Sequence, residues 1–174
     1  MNRAKRIQLV KHIAYALLLL VLYILQMTPG LFVLLGAKPI WLVPAAIAIA
    51  MMEGEFVGGI YGAAAGLLCD MGSSTVLYGF NGFFICLCCI LAGLLVIYLM
   101  HCNVWGCFLF VFITLLICRS VEYFFAFGMW GYDYGWMIYA NNILPTILYS
   151  TLVSPLPYLA VRTIHRRVEA ALED

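Results

Sequence analysis

The chain has 174 residues, 66% of them apolar and 10% charged, where soluble domains run nearer half and a quarter. One water-soluble core of this size cannot hide so much apolar surface, so the solvent it fits is lipid. A net charge of +1 leaves no basic field for nucleic acid and no acidic tail.

Arg3, Lys5, Arg6 and Lys11 precede the apolar run Ile13–Leu25, the order of charges and apolar residues seen in a signal peptide. Gln26, Met27, Thr28 and Pro29 follow, with no small-residue cleavage pattern. An uncleaved first membrane helix is therefore expected over about 7–27, with Lys11 and His12 reaching back to the headgroups. Pro29 and Gly30 break it, and the apolar connector Leu31–Ala37 leads to Lys38-Pro39.

A second span is expected over about 40–53, with Trp41 at the membrane surface, and a third over about 56–70. Both are short against the ~20 residues of a full crossing, so a re-entrant segment or a bent hairpin within one leaflet is the alternative. A polar turn, Met71–Tyr78, precedes a fourth span at about 79–100, and a fifth follows at about 104–127. The loop Gly128–Tyr139 holds Trp130, Tyr132, Tyr134, Trp136 and Tyr139, a composition suited to the lipid–water boundary. The last span, about 141–164, is interrupted by Pro145, Pro155 and Pro157, which imply kinks and freed carbonyls.

Basic residues cluster at both ends, Arg3, Lys5, Arg6 and Lys11 against Arg162, Arg166 and Arg167, while Lys38 is the one basic residue in a loop between spans. The positive-inside rule places both termini in the cytoplasm, which requires an even number of spans. The expected fold class is an all-α integral membrane protein, a six-helix transmembrane bundle forming a single domain over 1–174.

Glycines at 54, 58, 62 and 66 recur every four residues. Each step advances about 40° beyond a full turn, so the stripe winds slowly and suits a helix crossing at an angle. Without Cβ atoms two backbones approach closely, and van der Waals packing drives association in lipid. The stripe serves either packing within this chain or binding of a partner. Asp70, one turn beyond Gly66, is a carboxylate beside an apolar helix. It reads either as a cap on its own turn, at Gly72 or Ser73, or as a polar contact or cation site. Arg119 and Glu122, three apart inside an apolar run, share a face and read as a mutual pair or as a ligand pocket or proton path.

Cys69, Cys86, Cys88, Cys89, Cys102, Cys107 and Cys118 do not supply two CxxC pairs for a tetrahedral site, so no metal or other cofactor is expected; Cys102 is a generic palmitoylation candidate. His12, His101 and His165 fall near expected membrane edges and read as interfacial side chains. No GxSxG, HExxH or phosphate loop occurs, so no enzyme is expected.

The stretch Lys38–Gly93 resembles the rod shape-determining protein MreD family. The resemblance is carried by Pro39, Glu53-Gly54, the glycines at 58, 62 and 66, Gly66-Leu67-Leu68-Cys69-Asp70, and Gly79-Phe80-Asn81. It implies a non-enzymatic scaffold subunit of the bacterial cell-wall elongation complex in the plasma membrane. The implied partners are an MreC-like bitopic protein, MreB filaments, and a RodA-type glycan polymerase with its class B penicillin-binding protein. It also implies a six-helix architecture similar to the substrate-binding subunits of energy-coupling-factor vitamin transporters. A transporter subunit of that kind is the alternative function. It would use Arg119, Glu122, Asn141 and Asn142 as a small outward pocket, but Ala14 is followed four residues later by Leu18 and not by the alanine such subunits tend to carry. The dense aromatic loop departs from the family pattern.

Overall fold

The computed structural model describes residues 3–28, 38–72, 78–98, 104–126, 137 and 139–173. The connector Leu31–Ala37, most of the polar turn, His101, Cys102 and most of the aromatic loop lie outside them. The described elements are all helical: α1 (Arg3–Met27), α2 (Leu42–Glu53), α3 (Glu55–Gly72), α4 (Phe80–Tyr98), α5 (Val104–Ala126), a π-helical turn (Tyr139–Ile143), α6 (Leu144–Val153) and α7 (Pro155–Glu173). Among the described residues four segments are long and apolar enough to cross a membrane: Lys5–Met27, Phe80–Tyr98, Trp105–Phe125 and the composite rod Tyr139–Ala170. The described residues thus form an all-helical fold with four candidate membrane spans.

The expected six spans resolve into two kinds. Helix α2 has 12 residues, about 18 Å of rise, short of the ~30 Å hydrocarbon core. It is the centre of the molecule: every residue from Leu42 to Met51 is buried. A helix apolar all round belongs where neighbours surround it, and α1, α3, α4, α5 and α7 all pack on it. Trp41, expected at the membrane surface, is buried instead, because the chain enters α2 from inside the bundle. This buried entry exposes backbone amides to an apolar interior, where unsatisfied donors are costly. Gln26 at the far end of α1 meets the need, its Oε1 accepting from the amides of Trp41 (3.1 Å) and Leu42 (3.4 Å). Ser150 Oγ accepts from the amide of Ile40 at 2.9 Å. Pro44, within the first turn of α2, brings no donor of its own.

The outward faces are apolar. On α1, Leu9, Val10, Ile13, Leu17, Leu20 and Ile24 are exposed, as lipid-facing side chains must be. The last rod changes its hydrogen bonding at a proline. Pro155 cannot donate to the Thr151 carbonyl, and the Ser154 amide takes it at 3.1 Å, a tighter turn that separates α6 from α7.

Candidate functional site

Helices α2 and α3 are joined by Gly54 alone. Its φ of +88° lies in the left-handed region that glycine enters without steric cost, and its amide closes α2 on the Ala50 carbonyl at 3.1 Å. The chain turns back sharply, and the glycine stripe then divides between two neighbours. A Cβ on Gly58 would stand 2.6 Å from Ala50 Cα, so Gly58 meets α2. A Cβ on Gly62 would stand 2.8 Å from Cys89 Sγ, and one on Gly66 2.5 Å from Gly82 Cα and 2.6 Å from the Asn81 carbonyl oxygen, so both meet α4. The slow winding of a four-residue repeat is the cause, because successive glycines drift off one neighbour and onto the next. Gly59 and Gly93 extend the seam: their Cβ atoms would fall 2.8 Å from Ile90 Cγ1 and 2.7 Å from the Glu55 amide nitrogen. The stripe is therefore occupied by helices of the same chain.

Asp70 ends this seam. It is 2% exposed, and Asn81 is 1% exposed. Asp70 Oδ1 accepts from Asn81 Nδ2 at 2.9 Å and from the Asn81 amide at 3.3 Å, while Oδ2 accepts from the Gly82 amide at 3.1 Å. The carboxylate caps the N-terminus of α4, ten residues further on. Free amides and the positive end of the helix dipole make that position favourable for a negative charge. Gly82 has no side chain in the way, so Gly66 and Gly82 let the two backbones close while Asp70 fixes their register.

A second polar cluster sits at the opposite end of α2, and sequence reasoning did not assemble it. Glu53 Oε1 is ion-paired with Lys11 Nζ, accepts from Tyr15 Oη at 2.9 Å, and lies 2.8 Å from His165 Nδ1. His165 Nε2 lies 3.1 Å from Glu169 Oε1. Lys11, expected to reach for headgroups, and His165 turn inward, because Glu53 at the end of a buried helix needs partners for its carboxylate oxygens. His12 is exposed, its Nδ1 3.1 Å from Tyr61 Oη. The signal was in the sequence, since Lys11 and Tyr15 are four apart on one face of α1. It could not be used without knowing that α2 returns to their level.

Arg119 and Glu122 contact each other at 2.5 Å as an i,i+3 pair, their side chains 22% and 24% exposed. Near them Ser120 Oγ and Tyr139 Oη are 2.8 Å apart, tying α5 to the π-helical turn, where Asn141 and Asn142 are exposed. Further along the same helices a groove of about 530 Å³ opens between α5 and α6, lined by Phe108, Phe112, Pro145, Leu148, Tyr149 and Leu152 among others.

Comparison of the chain with protein-family models, with curated proteins and with solved structures finds no match.

Proposed function

We propose that this chain is a non-enzymatic scaffold subunit of the MreD type, serving the bacterial cell-wall elongation complex in the plasma membrane. One observation carries the reading. The residues that bear the resemblance, Gly66 to Asp70 and Gly79 to Asn81, are parts of one device, the carboxylate cap and glycine contact that close α3 on α4. On this reading the bundle is of the six-helix kind shared with the substrate-binding subunits of energy-coupling-factor transporters. Its task is to hold helix faces in fixed register for partners that meet it inside the bilayer.

The partner face is then not the glycine stripe, which α2 and α4 occupy. The opposite side of α3 presents Phe56, Ile60, Leu67 and Met71, all exposed and spaced in turns of the helix. A membrane helix of an MreC-like bitopic protein would lie along this stripe, and MreB, the RodA-type polymerase and its penicillin-binding protein would join through the assembled complex. The test is co-purification from a rod-shaped bacterium with its native membrane proteins, alongside cell shape after depletion. Rounding on depletion and recovery of the bitopic protein are expected, with recovery lost in an Ile60→Trp, Leu67→Trp variant that still inserts. Rods that persist after depletion, with a transport ATPase recovered in place of the bitopic protein, would overturn the scaffold reading in favour of the transporter one.

A further inference from the structure

The contact between α1 and α7 brings the two basic segments of the sequence to one end of the bundle. Lys5 and Arg6 lie at the start of α1, and Arg166 and Arg167 on α7, all four exposed; Arg162, one turn earlier on α7, is half-buried. None of these five is ion-paired among the described residues. Among the described residues, the acids at this end form no ion pair with them. Glu53 is taken by Lys11 and His165, and Glu169 faces His165. Glu55 belongs to the same end but stands on α3, and its backbone is packed against Gly93.

The depth of the patch identifies its occupant. On α1 the exposed apolar belt begins at Leu9 and Val10, just past Lys5 and Arg6; on α7 it ends at Leu156 and Leu159, just before Arg162. Lys5, Arg6 and Arg162 therefore border the apolar belts of the two helices, with stems long enough to reach lipid phosphates, and Arg166 and Arg167 follow about one turn further along α7. Clustered Lys and Arg beside a membrane helix attract anionic headgroups. We infer that the joined ends of α1 and α7 form a binding surface for anionic phospholipid, with Lys5, Arg6, Arg166 and Arg167 as its main contacts. This goes beyond the scaffold reading and does not depend on it.

The full chain can be reconstituted in nanodiscs of phosphatidylcholine mixed with phosphatidylglycerol, released, and its retained lipids counted by native mass spectrometry. The native chain retains phosphatidylglycerol preferentially, and the preference falls about fivefold for each basic residue removed. Arg166→Gln with Arg167→Gln reduces it, and adding Lys5→Gln and Arg6→Gln abolishes it. Arg166→Lys with Arg167→Lys preserves it, because charge and not side-chain shape is the determinant. Added salt weakens it by screening. An unchanged preference in the four-residue variant overturns the inference, as does displacement of the lipid by inorganic phosphate at equal concentration. Should the four-residue variant fail to fold, the two-residue variants decide the matter, with helix content by circular dichroism as the control.

Discussion

Helices α3 and α4 meet through glycine, alanine and cysteine, while α5 and α6 face each other through Phe108, Phe112, Leu148 and Leu152 and leave a groove between them. The first pair brings backbone against backbone at Gly66 and Gly82 and buries a carboxylate at the junction. The second pair keeps its charges, Arg119 and Glu122, partly exposed and on a single helix. Lipid tails compete with any apolar side chain for contact, so bulky residues gain little from finding each other in a membrane. Small residues gain more, because close approach creates packing that lipid cannot reproduce. The tight half is thus the part that fixes the fold, and the looser half leaves apolar surface open to the bilayer.

The sharpest way to break this contrast is to thicken the glycine seam. Gly66→Leu would drive a side chain into the backbone of Asn81 and Gly82, with no flexible neighbour to give way. A loss of about 4 kcal/mol or more is expected in reversible unfolding in mild detergent. Gly106→Ala is the control: its Cβ would lie 3.6 Å from the mobile end of Met51, so stability should change by less than about 0.5 kcal/mol. A seam that tolerates leucine would show that α3 and α4 are not closed as described.

Next in size is the cap. Asp70→Ala leaves the Asn81 side chain and the Asn81 and Gly82 amides without their acceptor, at a cost of about 3 kcal/mol. Asp70→Asn keeps one carbonyl oxygen and should lose less. Hydrogen exchange reads the effect locally, as faster exchange confined to the first turn of α4. Faster exchange throughout the bundle, with α4 no worse than the rest, would show that the carboxylate does not act as a cap.

The charged pair of the looser half should matter less and in a different manner. Arg119→Leu alone strands the Glu122 charge, and its cost should exceed that of Arg119→Leu with Glu122→Leu by about 1–2 kcal/mol. Equal costs would mean that the two charges do not compensate each other. The smallest effect is expected at the groove wall. Leu148 is 55% exposed, so Leu148→Ala should shift detergent unfolding by less than about 1 kcal/mol. A cost near that of Gly66→Leu would erase the distinction between the two halves.

Much of the tight half was legible residue by residue. The four-residue glycine spacing marked a close helix contact, and an acid one turn beyond it marked a polar fastening. Which helices would use them was not legible. Packing within the chain and binding of a partner place the same demand on a glycine, and only the path of the chain through Gly54 divides the stripe between α2 and α4. Asp70 caps α4, an outcome its own sequence neighbourhood does not reveal, because the amides that need an acceptor are those the returning chain carries to it.

The cluster around Glu53 was less legible still. Lys11, Tyr15, Glu53 and His165 come from three helices, and each side chain alone is ordinary near a membrane edge. The sequence by itself determined that the chain is helical and belongs in lipid, since those follow from composition and from the length of its apolar runs. Tertiary structure alone decided that the short α2 is the buried centre, with Gln26 and Ser150 at its entry and Glu53 clasped at its exit. The reason is that hydrophobicity marks a segment as excluded from water without saying whether lipid or protein will surround it. For α2 the answer depends on five neighbouring helices, four of them distant in sequence from its ends.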